Sequence, residues 1–159
     1  MSTDYFLKLD GITGESKDAK HANEIDLLSF SWGESNASSV VGAGAGAGKV
    51  NMQDFNFSME FNSASPALIL ACATGDHIKT ATLTARRAGK TQQEYLKVVF
   101  TECLVTSYQT GGSQGQVVPM DSISINFSKM EVQYLAQKAD GTVGSPIKVG
   151  YDVKANKKV

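Results

Sequence analysis

The sequence predicts a mainly β domain, an antiparallel barrel or two-sheet sandwich of seven or eight strands carrying one helix. Three observations lead there. Apolar and polar residues alternate with period two in run after run, most cleanly where Phe55, Phe57, Met59 and Phe61 interleave with Asp54, Asn56, Ser58 and Glu60. The runs are separated by short connections rich in Gly, Asn and Asp. A single stretch, 65–75, carries helical punctuation at both ends.

Taken in order, Tyr5, Leu7 and Leu9 alternate with Asp4, Phe6 and Lys8 as a first strand, and 11–23 is a polar loop. A second strand over 24–32 sets Leu28, Phe30 and Trp32 on one face and Ser29 and Ser31 on the other. Trp32 is expected in the core. Residues 36–49 form a long loop of small residues containing Gly42, Gly44, Gly46 and Gly48 and ending at Lys49. The strand from Asp54 follows. In the helix, Ser65 suits the N-cap, Pro66 the first helical position and Gly75 the left-handed residue after the last turn. Leu68, Ile69 and Cys72 form its apolar face, and Leu68 and Ile69 should close one end or edge of the barrel.

A Thr-rich strand over 78–86, a turn over 88–91 and a long strand over 94–108 come next. The long strand places Leu96, Val98, Phe100, Leu104 and Tyr108 at even positions. After a second glycine loop, 111–115, the run 121–135 changes phase: Ile123, Ile125 and Phe127 are odd, Met130, Val132 and Tyr134 even. Such a change requires a bulge, or a strand that leaves one apolar surface for another, as strands curving around a small barrel do. Asp140-Gly141 turns the chain into a last strand over 147–153, and the basic residues 156–159 are expected to fray. No repeat or linker divides the chain, so residues 1–159 read as one domain.

Bulk properties exclude several functions. Of 159 residues 42% are hydrophobic and the net charge is -1, which lacks the basic excess of a nucleic-acid surface. No apolar run approaches the roughly 18 residues of a membrane helix, so membrane insertion is not expected. The opening residues 1–6 lack a signal peptide's basic start and apolar stretch. The protein is therefore expected to be made in the cytoplasm, and any export to need no cleaved signal. The two cysteines, Cys72 and Cys103, read as buried free thiols.

The glycine run fails as a phosphate loop. With Gly48-Lys49 as the Walker pair, the first glycine falls at Ala43 and the hydroxyl position at Val50. The dinucleotide spacing fails at Lys49 or at Ala47. Cys72 and His77 have no oxyanion motif beside them, and His21 with the scattered cysteines makes no metal set. Asp54 and Glu60 lie about 20 Å apart along a strand, too far for a glycosidase pair. Neither a cofactor, a metal nor a catalytic group is expected. Arg86, Arg87 and Lys90 form a basic cluster that is either a solvated turn or a docking edge for an acidic patch.

The ordered set of short motifs is more specific. Tyr5-Phe6-Leu7-Lys8-Leu9-Asp10-Gly11, Gly14-Glu15-Ser16, Glu24-Ile25-Asp26 and Ser31-Trp32-Gly33 open it. Ser65-Pro66, Ala71-Cys72-Ala73-Thr74-Gly75, Arg87-Ala88-Gly89, Glu94-Tyr95-Leu96, Gly111-Gly112-Ser113, Ala139-Asp140-Gly141 and Gly150-Tyr151-Asp152 continue it. Over essentially its whole length the chain resembles the Hcp family, the haemolysin-coregulated proteins of bacterial type VI secretion.

The resemblance implies a two-sheet β-barrel with a helix, assembled as a homohexameric ring and stacked into a hollow tube like a phage tail tube. It implies a contractile sheath around the tube, a trimeric spike protein at the tip, effector proteins in the lumen, and expulsion from the cell. On that reading Ser29 and Ser31 face the lumen, with Asp54, Asn56 and Ser58 as further parts of a polar wall. The loop with Gly42, Gly44, Gly46, Gly48 and Lys49 would lie against the next ring near Arg87, Gly89 and Lys90. The alternatives are a β-sandwich binding or adhesion module without tube assembly, and a small enzyme.

Overall fold

The structure is a computed structural model that describes residues 3–37, 49–87 and 92–159. In chain order its elements are β1 (Thr3–Leu9), β2 (Ile25–Asp26), β3 (Ser29–Ser31), β4 (Glu34–Asn36), β5 (Val50–Met52) and β6 (Phe55–Glu60). Then come α1 (Ser65–Thr74), β7 (His77–Arg87), β8 (Gln93–Gly111), β9 (Met120–Asn126), β10 (Lys129–Tyr134), β11 (Ile147–Asp152) and β12 (Lys157–Lys158). All the pairings among them are antiparallel.

β8 organises the barrel because its 19 residues are shared between two sheets. Its first half pairs β7 on one edge and β10 on the other, from Leu96 opposite Tyr134 to Thr101 opposite Lys129. Its second half pairs β9, from Leu104 opposite Asn126 to Gly111 opposite Met120. Between the halves Glu102 adopts φ 53°, a left-handed conformation that side chains seldom take. Phe127 and Ser128 interrupt the facing strand at the same level, and the Ser128 hydroxyl donates to Thr101 O at 3.2 Å. The ribbon bends there from one sheet into the other. This is the physical content of the phase change read at Phe127 and Met130.

The hydrogen-bonded neighbours run β8–β7–β1–β2. Leu27 N–H then donates to Tyr5 O at 3.0 Å, and Leu28 N–H to Ser58 O at 2.9 Å. The walk continues β3–β6–β9 and returns to β8, which closes the two sheets on one core. β10–β11–β12 extend the first sheet outside that circuit, and β4–β5 form a separate ribbon.

The inward positions of β6, Phe55, Phe57 and Met59, meet Ile123 and Ile125 of β9, Leu7 and Leu9 of β1, and Leu83 of β7. Phe55 and Phe127 flank Phe100 at centroid distances of 4.8 and 4.6 Å. Each such ring pair contributes roughly 0.5–1.5 kcal/mol beyond area burial. Trp32 is half-buried and joins this cluster at 6.4 Å from Phe100. α1 seals one side, with Leu68 fully buried.

Several expectations change. The strand expected over 24–32 is two, because the chain crosses from β1 to β6. The crossing puts Leu27 inside and leaves Leu28 50% exposed. Phe61 lies past the end of β6 and is 38% exposed. Ser65 is not the N-cap. Ala64 holds that place, and Ser65 is the buried first helical residue. Ile69 is 43% exposed, since one residue beyond Leu68 is about 100° round the helix. Ala71 takes the core side instead, and Cys72 is half-buried.

In β8 the inward face moves from Val98 and Phe100 to Cys103 and Val105 across Glu102, so Leu104 is only half-buried. The last long strand stops at Asp152, and the tail expected to fray pairs as β12 with β11. The basic cluster splits. Arg86 is 2% exposed, so it belongs neither to a solvated turn nor to a docking edge, whereas Arg87 is half-buried on the other face. Of the loop expected over 36–49 only Asn36, at the end of β4, Ala37 and Lys49 are described, and the turn after Arg87 lies outside the described residues.

Candidate functional site: a serine-rich sheet face

β3, β6, β9 and the second half of β8 form a four-stranded sheet with one face in the core. Register sets two straight polar rows across the other face. Ser31 stands opposite Asn56, Asn56 opposite Ser124, and Ser124 opposite Ser107. Ser29 stands opposite Ser58, Ser58 opposite Ser122, and Ser122 opposite Gln109. Residues directly opposite on paired strands, and residues two apart on one strand, share a face, so these eight side chains project together. Within the rows the Ser29 and Ser58 hydroxyls are hydrogen-bonded, and the Ser124 hydroxyl donates to Asn56 Oδ1. All eight are uncharged and small or amide-bearing, a surface that hydrogen-bonds water and offers a passing chain neither ionic nor apolar purchase.

Four of the five residues expected on a polar wall therefore fall together: Ser29, Ser31, Asn56 and Ser58. Asp54 precedes β6 at the border of the face. Its carboxylate accepts from Thr106 Oγ1 at 2.7 Å and Asn126 Nδ2 at 3.0 Å. The expectation missed Ser107, Gln109, Ser122 and Ser124. For Ser122 and Ser124 the signal was the alternation Ser122-Ile123-Ser124-Ile125, whose apolar half alone was used.

The sheet ends in two open edges. β3 pairs only with β6, and β8 beyond Leu104 pairs only with β9 among the described residues. Unpaired strand edges are templates for another chain. Behind the sheet, Asp121 is fully buried and its Oδ2 accepts from Ser65 Oγ at 2.6 Å and Tyr108 OH at 2.7 Å. Burial first, then the Asp121 acceptor, pushes the Tyr108 phenol up to about 12. This contact ties the start of α1 to the sheet.

The chain matches, over residues 6–134, the family described as "Type VI secretion system effector, Hcp". It belongs to the Hcp family. It is 44% identical to "Protein hcp1" of Pseudomonas aeruginosa over an alignment of 159 positions that covers 98% of each chain. The crystal structure of Hcp1 from Salmonella typhimurium superposes with a TM-score of 0.85 at 39% identity, covering 100% of both chains. A type VI secretion effector from Yersinia pestis superposes at 0.77 with 35% identity, over 94% of this chain and 99% of that one.

In this Hcp-family chain the residues expected at a stacking surface are only partly described. Lys49 is exposed. The Arg87 guanidinium lies 4.8 Å from the Tyr95 ring centroid and donates to Gln137 Oε1 at 3.0 Å. Gly42, Gly44, Gly46, Gly48, Gly89 and Lys90 lie outside the described residues. Cys103 is fully buried, and desolvation pushes its thiol up to about 12. Among the described residues there is no group of three or more His, Cys, Asp or Glu placed to hold a metal.

Proposed function

We propose that this Hcp-family protein is a structural subunit of the type VI secretion inner tube rather than an enzyme. It forms hexameric rings that stack, are expelled from the cell, and carry effectors in the lumen. The serine-rich sheet with two open edges carries this reading. Copies set edge to edge continue the sheet around a closed ring, and the uncharged rows then face a common channel. Six such sheets contribute twenty-four strands. At about 4.8 Å per strand this makes a channel at least roughly 35 Å across before side chains are counted. The outer surface meets the contractile sheath, and the end ring meets the trimeric spike.

Negative-stain microscopy with light scattering tests the assembly. Rings with an open centre and about six times the 16.9 kDa subunit mass are expected, and only the 16.9 kDa species at micromolar concentration refutes it. Ser31→Gln should spare the ring and reduce co-purification of an effector, and unchanged retention refutes the channel role of this face. Paired cysteines replacing Gly46 and Gly89, with Cys72 and Cys103 removed, should cross-link adjacent rings under oxidation.

A further inference from the structure

We propose that the loop 10–24 is a proton-operated strap, clasped to the outside of the barrel by His21. The strap is a compact unit. Gly14 N–H donates to Asn23 O at 2.8 Å, Ser16 N–H to Glu24 O at 2.9 Å, and Asn23 N–H to Ser16 O at 2.9 Å. Its arms approach so closely that a Cβ on Gly14 would stand 2.4 Å from Glu24 O. It lies over side chains that point away from the core. Phe6 and Arg86 alternate with core-facing Leu7 and Ala85, yet are only 3% and 2% exposed.

Two fastenings hold it. At the first, Arg86 donates to Asp18 Oδ1 at 3.0 Å and Oδ2 at 2.7 Å, and to Asp4 Oδ2 at 3.1 Å. The Arg86 hydrogen bond, helped by the Lys20 N–H, holds the Asp18 carboxyl well below the usual carboxylate range. Guanidinium does not deprotonate, so this fastening is indifferent to pH from mild acid to mild base.

The second fastening is not. His21 stacks on the Phe6 ring at 4.3 Å, with Nδ1 3.0 Å from Glu24 Oε2 and Nε2 2.7 Å from Glu94 Oε1. Ionised carboxylates only accept, and a neutral imidazole has one N–H to give. Both contacts are hydrogen bonds only when the ring carries both protons. Without the second proton, a nitrogen lone pair faces a carboxylate oxygen at a residue 6% exposed. The surrounding charges come from every packed element: Asp18, Lys20 and Glu24 of the strap, Asp4 of β1, Asp26 of β2 opposite Phe6, whose carboxyl is pushed up by burial and by Asp4 and Asp18, Arg86 of β7 and Glu94 of β8. Arg86 also sits 4.9 Å from the Phe6 ring, but it is paired to Asp18 and Asp4.

The His21 fastening is made as pH falls and released as pH rises, while Arg86 keeps the strap in place. The strap also reaches α1. Ser63 N–H donates to Glu15 Oε2 at 2.8 Å and Ser63 Oγ to Thr13 O at 3.2 Å, just before the helix. Protonation of His21 therefore bears on how firmly the helix start is held.

Hydrogen exchange of the Gly14, Ser16 and Asn23 amides in the full-length protein tests this. The comparison is between about pH 5 and about pH 8, after correction for intrinsic rates. Protection should be about tenfold greater at the acid end. That is the low end for a hydrogen bond to a charged group, because the Glu94 side chain is 42% exposed. His21→Gln and Glu94→Gln should each shrink the difference, while His77→Gln and the Leu83 amide show no effect. Equal protection at the two pH values in the parent, or an undiminished difference in Glu94→Gln, overturns the proposal. Glu94→Gln decides the matter if His21→Gln does not fold.

Discussion

Adjacent positions on α1 should respond to truncation very differently. Leu68 is 0% exposed against the core beneath the helix, and Ile69, the next residue, is 43% exposed. Leu68→Ala removes a fully buried isopropyl group and leaves a cavity. A loss of about 3 kcal/mol is expected, inside the usual 2–5 kcal/mol range. In a domain of this size 1 kcal/mol moves the melting temperature by about 2–4 °C, so the midpoint should fall by roughly 6–12 °C. Ile69→Ala gives up a half-wetted side chain worth about 1 kcal/mol or less, partly offset by alanine's better helix propensity. Its midpoint should fall by about 2 °C or less. Circular dichroism melts at one fixed protein concentration measure both, since self-association raises the midpoint by mass action. Equal losses would refute the reasoning, because they would mean that α1 does not turn Leu68 to the core and Ile69 away from it. A Leu68→Ala melt within a degree of the parent would show that the helix does not seal it.

Tyr108 and Cys103 both have folded values near 12, above their ordinary values of 10.0 and 9.0. The stability each contributes is whole below its ordinary value and lost as pH rises toward 12. Tyr108→Phe should start less stable, having taken a donor from Asp121, but its urea midpoint should decline less steeply than the parent's over the alkaline range. With native protein at mildly alkaline pH, a thiol reagent should label half-buried Cys72 and spare Cys103, and equal labelling would contradict the packing. Gly14→Ala should destabilise by about 1–3 kcal/mol, the usual cost of overpacking, because backbone and not a movable side chain stands in its way. A thermal melt of the variant checks this.

Local patterning in the chain was enough for the elements that one face decides. Phe55, Phe57 and Met59 read as an inward row and are one. The Pro66 and Gly75 punctuation located the helix to within a residue. The phase change after Phe127 announced a bend, and β9 gives way to β10 there. Less legible was anything that depends on which strands become neighbours. Ser29 and Ser58 were noticed as polar positions on separate strands, but nothing local to Ser107 or Gln109 says that they complete the same rows. Arg86 and Arg87 read alike until the strap supplies Asp18 to one of them. His21 looked like a stray histidine because Glu94 lies 73 residues away.

The sequence by itself determined the strand period, the helix and its stops, and, through its ordered motifs, the family. Those follow from contacts within a few residues, which spacing exposes directly. Only the tertiary structure decided which residues share the serine face, which edges stay open, that Leu28 and Ile69 face water, and that His21 bridges two carboxylates. The first two are set by register between strands distant along the chain, where a slip of one residue would send a strand's side chains to the opposite face, and the others by how the strand crossing, the helix and the strap pack against those sheets.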